Sequence, residues 1–72
     1  MTKINLIEKY VMVRHKLKAT ERELKIFELR NGVFENNKHT FVEIGEMFSI
    51  SSSRVRQLNG KVEYLIEKSV ID

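Results

Sequence analysis

Cysteine, proline and tryptophan are absent from this chain of 72 residues, and glycine occurs only three times. Without cysteine there is no disulfide framework and no thiolate metal site, a composition compatible with a reducing compartment. Without proline, nothing in the chain forces a helix to break for want of a backbone N–H. No apolar run approaches the ~20 residues that a membrane-spanning helix needs. Residues 1–9 are interrupted by Lys3, Glu8 and Lys9, which excludes the uninterrupted apolar stretch of a secretory signal. A soluble, cytoplasmic protein without a membrane partner is expected. Dinucleotide fingerprints, phosphate loops and zinc-ligand spacings are also missing. His15 and His39 stand alone, with no second ligand or nucleophile at a useful spacing. Glu21 with Glu23, and Glu43 with Glu46, sit where first-turn carboxylates favour a helix dipole, which explains them better than acid–base pairing. The expectation is a non-enzyme that needs no metal or cofactor.

A chain this short makes one domain and buries only about 60% of its unfolded surface, so a partner or a second copy would help to stabilise it. The net charge is +3, distributed unevenly. Residues 1–18 carry five basic side chains against one acidic, residues 19–50 four against six, and residues 51–72 four against three. A mild basic balance permits nucleic acid without requiring it.

Apolar spacing is helical almost throughout, with no clean two-residue alternation, so an all-α fold of four helices is expected. The first spans residues 4–17. Ile4, Ile7, Tyr10, Val11 and Leu17 share a side that Leu6 and Val13 widen, and Arg14 falls inside this arc. The arc is broader than one small surface usually covers. Either the helix enters the core and Arg14 extends outward along its aliphatic stem, or Ile7, Tyr10, Val11, Arg14 and Leu17 form a dimer or partner interface. The second helix spans residues 21–30. Thr20 and Glu23 form a capping box at its start, and Asn31-Gly32 ends it. Residues 33–39 form a polar loop turning at Asn36-Asn37. The third helix spans residues 41–48, with Thr40 and Glu43 repeating the capping box and Phe41, Ile44 and Phe48 facing inward. The fourth starts after its N-cap Ser51 and reaches about residue 68. Val55, Leu58, Val62, Leu65 and Ile66 form its inner stripe; Ser53, Arg56, Gln57, Gly60 and Tyr64 lie opposite.

Residues 40–61 therefore read as a helix-turn-helix. Ser49 and Ser51 suit the reversal, because a hydroxyl can bond nearby backbone amides. Ile50 is the apolar plug between the helices. Gly45 costs its helix about 1 kcal/mol relative to alanine, which makes sense where the fourth helix crosses closely. Such a helix is the common device for entering the DNA major groove. Arg56 can bond guanine bidentately and Gln57 adenine. Arg54 and Lys61 lie at the flank, where phosphate contact is natural. Ser51, Ser52 and Ser53 crowd a helix N-terminus whose amides favour a phosphate. With Gly60 on the same outward side, these eight residues are the candidate DNA-binding set.

The blocks T-E-R-E-L-K-I-F-E-L-R-N-G-V at residues 20–33, H-T-F-V-E-I-G-E-M-F-S-I-S at 39–51 and R-V-R-Q-L-N-G-K at 54–61 together resemble region 4 of housekeeping-class bacterial sigma factors, the domain that reads the −35 promoter element. Quorum-response regulators share T-E-R-E and a similar helix-turn-helix, but typically with a shorter loop and without R-V-R-Q. The resemblance spans residues 20–65 and implies a three-helix core at residues 20–66, to which residues 1–18 add an N-terminal helix. By position, Arg56 and Gln57 match the family's base-reading and adjacent phosphate residues, and Lys61 a basic position further along. Ser52 and Ser53 stand where the family usually has base-reading Arg and Glu, and Asn31 where it has an aromatic. The chain has no room for regions 2 and 3, so it looks like a free-standing region 4, as expected of a phage, plasmid or small bacterial regulator. Two functions follow. One is a DNA-binding transcription regulator acting on double-stranded DNA, as a homodimer or with another partner. The other is a region-4 mimic that engages the RNA polymerase flap, or a partner sigma subunit, without strong sequence-specific DNA binding.

Overall fold

The computed structural model describes residues 5–35 and 37–71. The expected helix start at Ile4 and the Asn36 half of the loop turn lie outside them. In chain order, α1 (Leu6–Val13) is followed by a 3₁₀ turn (Arg14–Lys16), α2 (Glu21–Asn31), α3 (Phe41–Phe48) and α4 (Ser52–Lys68). The described residues contain no strand.

Every α-helix begins on a side-chain cap. The Asn5 side chain accepts from the Glu8 amide and the Ser51 hydroxyl from the Arg54 amide. Thr20 with Glu23, and Thr40 with Glu43, form complete capping boxes, each satisfying two backbone donors that the helix itself leaves without partners. Gly32 closes α2 at φ 62°, and the Val33 amide reaches back to the Glu28 carbonyl (3.1 Å), the six-to-one bond of a left-handed C-cap. The His39 amide then donates to the Leu29 carbonyl (3.0 Å), returning the loop to the end of α2 before α3 begins.

The central pair is α2 with α4, and it separates two apolar clusters. Toward the turn, Ile26 and Leu29 of α2 meet Ile44 of α3 and Val55 and Leu58 of α4, with Phe41, Phe48 and Ile50 packed around them. Toward the chain ends, Leu24 and Phe27 of α2 meet Val62 and Ile66 of α4, and the gap is filled by Tyr10 and Val13 of α1. Burying a large apolar side chain is worth about 1.5–3 kcal/mol, so α1 is structural for the second cluster.

The first helix therefore enters the core, as one of its two readings expected, but its extent and the course of Arg14 differ from that reading. It is shorter than expected and changes to a 3₁₀ turn at Arg14. Tyr10 is completely buried, its ring 4.7 Å from that of Phe27, and so has no surface to give a partner. Leu17 is half-buried against the same cluster. Arg14 does not extend into solvent: its Nε donates to Glu28 (2.9 Å) and its Nη2 to Glu21 (3.2 Å). The Tyr10 hydroxyl donates to the same Glu28 carboxylate and accepts from Arg14. Burial, then the Glu28 carboxylate, pushes the Tyr10 hydroxyl well above its ordinary pKa, so it remains a neutral donor. The wide arc thus divides into a core side and an intramolecular charge cluster. Val11 is exposed and Ile7 half-buried.

Candidate nucleic-acid interface

The turn between α3 and α4 fixes the angle of the presenting helix. Ser49 takes a left-handed conformation (φ 57°), and its amide and that of Ile50 both donate to the Gly45 carbonyl. A Cβ on Gly45 would lie 2.6 Å from the Ile50 carbonyl oxygen and 3.4 Å from the Ser51 carbonyl carbon and the Ser52 nitrogen. The expected close approach is therefore present, but what approaches is the turn's own backbone and the first residue of α4. Ile50 packs beside the Ile44–Val55 cluster as the expected plug.

Ser51 caps α4, which leaves the first-turn amides of Ser52 and Ser53 without an intrahelical acceptor. Ser52, Ser53, Arg54, Arg56, Gln57 and Gly60 are all exposed, while Val55 and Leu58 between them are buried. Arg54 donates to the Gln57 side-chain oxygen (3.3 Å). The Arg56 guanidinium lies over the Phe41 ring, 5.4 Å from its centre. Residues 52–62 contain no acidic side chain.

Lys61 is placed differently from the rest of the set. Its Nζ donates to both Glu23 oxygens (2.9 and 3.1 Å), which ties α4 to the capping box of α2. That bond, reinforced by the Thr20 amide, holds the Glu23 carboxyl below its ordinary pKa. The Glu43 carboxyl is likewise lowered, first by the Thr40 backbone amide.

Sequence reasoning missed three participants. Asn59 is buried on α4; it accepts from Asn31 (3.3 Å) and donates to Glu63 (2.9 Å). Asn31 also donates to the Phe27 carbonyl (2.9 Å), so the two asparagines link the end of α2 to the middle of α4. The third is Arg30, whose guanidinium lies 4.3 Å from the Phe41 ring centre while its Nη1 donates to the His39 carbonyl (3.3 Å). Its only sequence signal was a basic last turn on α2. Among the described residues no group of His, Asp and Glu could hold a metal ion, and no helix is long and apolar enough to cross a membrane.

The family model for sigma-70, region 4 matches residues 18–62, from just before the cap of α2 to the middle of α4. The chain belongs to the sigma-70 region 4 family. Among curated proteins, this region 4 domain is similar to the RNA polymerase sigma factor SigA4 of Synechococcus elongatus, at 38% identity over 42 residues. The match covers 58% of this chain and 14% of that protein. No solved structure matches. Membership gives the domain a transcription-related, DNA-binding character. The helix-turn-helix falls inside the matched span, whereas α1 and the last part of α4 fall outside it. Tyr10, Val13 and Ile66 thus contribute to the core from beyond the family's limits.

Proposed function

We propose that this domain is a transcription regulator that binds double-stranded DNA with the first half of α4 in the major groove. One observation carries the reading: an acid-free stretch of α4 exposes Ser52, Ser53, Arg54, Arg56, Gln57 and Gly60 together, on a helix held by a tight turn. Gln57 and Arg56 read bases and contact the backbone, and Arg54 reaches a phosphate. The first-turn amides receive another phosphate. Serines at 52 and 53 bond almost any base edge, so selectivity is modest. Lys61 contributes only if it exchanges Glu23 for a phosphate. The domain works in the cytoplasm, where its target DNA is. Titrating labelled duplexes with the protein at rising salt tests the proposal. Affinity should fall with a log–log slope of about −0.9 per phosphate contact. Undetectable binding at low salt, or binding indifferent to salt, refutes it.

Exposed Val42 and Met47 on α3 favour a second reading, in which the domain holds RNA polymerase or a sigma subunit through an apolar contact. Recovery of no polymerase subunit or sigma fragment on the immobilised domain would remove it. Homodimerisation loses its main support once Tyr10 and Leu17 are committed to the core; the mass in solution decides it.

A further inference from the structure

Phe41 opens α3 at the junction of three helices. One side of it packs on the Ile26–Ile44–Val55 cluster. Its ring also receives two guanidinium groups, Arg30 from α2 at 4.3 Å and Arg56 from α4 at 5.4 Å. Neither arginine has a carboxylate within ion-pair distance among the described residues. Two like charges therefore converge on one neutral ring with no acid to balance them. Arg14, by comparison, is held by Glu21 and Glu28 and Lys61 by Glu23, which occupies their donors.

The ring attracts a guanidinium through its electron-rich face. A guanidinium held over a ring keeps its in-plane N–H donors free for an acceptor, and an arginine already restrained loses less rotamer freedom when the acceptor arrives. A carboxylate would restrain it too, but would occupy those donors. We propose that Phe41 is a positioning residue for DNA binding: its half-buried ring, steadied by Arg30, holds Arg56 at the α3 side of the recognition helix with its donors free for the DNA. The inference rests on the DNA-binding reading above and adds a residue outside the expected DNA-binding set. It also gives a reason for an aromatic at a position where packing alone needs only an apolar side chain.

The test is a thermodynamic cycle on one mixed-sequence duplex, titrated between about 50 and 200 mM salt, with wild type, Phe41→Leu, Phe41→Tyr, Arg56→Gln and the Leu/Gln double variant. Phe41→Leu should weaken binding about two- to five-fold, the range expected for one exposed cation–ring contact. It should have no further effect once Arg56 is replaced. Phe41→Tyr keeps the ring and should bind as wild type. Side-chain resonances of Arg56 in the free protein should be shifted upfield by the ring and return to ordinary values in Phe41→Leu. Thermal melts of all variants control for folding. Additive effects of Phe41→Leu and Arg56→Gln, a tyrosine that fails to rescue, or an unshifted Arg56 in the free wild type each overturn the positioning role while leaving DNA binding intact. Failure of the wild type to bind any duplex overturns the DNA reading, and this inference with it.

Discussion

Replacing either of two helical glycines by alanine should change stability in opposite directions, although the backbone conformation is the same. At Gly60 an added Cβ meets nothing within 4 Å, so Gly60→Ala should gain only the propensity difference, about 1 kcal/mol. At Gly45 the same Cβ would sit 2.6 Å from the Ile50 carbonyl oxygen. That oxygen belongs to backbone, as do the two atoms at 3.4 Å, so no side-chain rotation relieves the clash. The Ile50 amide is meanwhile bonded to the Gly45 carbonyl (2.9 Å), which resists the turn moving away. Overpacking of this kind costs about 1–3 kcal/mol. A contact this short belongs in the upper part of that range, and the propensity gain of about 1 kcal/mol offsets part of it. A net loss of about 1–2 kcal/mol is expected. For a domain of this size each kcal/mol moves Tm by about 4–8 °C. Thermal and urea unfolding followed by circular dichroism should therefore show Gly45→Ala melting below wild type and Gly60→Ala above it. A Gly45→Ala variant as stable as wild type would refute the close approach of the turn. DNA titration adds a second criterion. If the groove wall comes up to Gly60, Gly60→Ala binds more weakly while melting higher, a combination that stability alone cannot produce.

Tyr10→Phe removes one hydroxyl from the Arg14–Glu28 cluster and should cost about 1 kcal/mol in urea unfolding, with an unchanged urea dependence; no loss would mean that the buried bond to Glu28 contributes nothing. Ser51→Ala should cost about 1 kcal/mol by removing the acceptor for the Arg54 amide, and a wild-type melting curve would count against the cap. The Glu23 carboxyl is held below its ordinary value of 4.5 by Lys61, so its contribution to stability is complete above that value and is lost as pH falls through the lowered one. Glu23→Gln should accordingly flatten the acid limb of a plot of urea midpoint against pH. The same variant frees Lys61; a salt dependence of DNA binding no steeper than wild type's would show that this ammonium does not reach a phosphate.

Much of the fold was legible because caps are local. Thr20 with Glu23, Thr40 with Glu43, and Ser51 each fix a helix start within one turn, and the structure places all three starts there. Gly45 disclosed a close approach because a glycine inside a helix is a cost that needs a reason. Ser49 gave no such sign: it takes the left-handed conformation that glycine usually supplies, held by the Gly45 carbonyl and the plug at Ile50. Pairings between distant residues were the other gap. Lys61 reaches Glu23 across 38 positions and Asn31 reaches Asn59 across 28, so neither leaves a periodic trace. On helical spacing alone Lys61 is as free as Arg54, and Tyr10 as available as Val11. The packing of α2 against α4 decides the first, and that of α1 against both decides the second.

The bond from Lys9 to the Glu67 carbonyl (3.3 Å) closes α1 onto the last turn of α4, and that from Lys16 to the Val70 carbonyl ties the 3₁₀ turn to the residues just after it. These partners lie 58 and 54 positions apart along the chain. At a synthesis rate of about 5–20 residues per second, α1 is made several seconds before the end of α4 exists. Through that interval Val62 and Ile66, the α4 half of the cluster around Tyr10 and Val13, are missing. α1 can therefore complete its docking only once the last turns of α4 have been made.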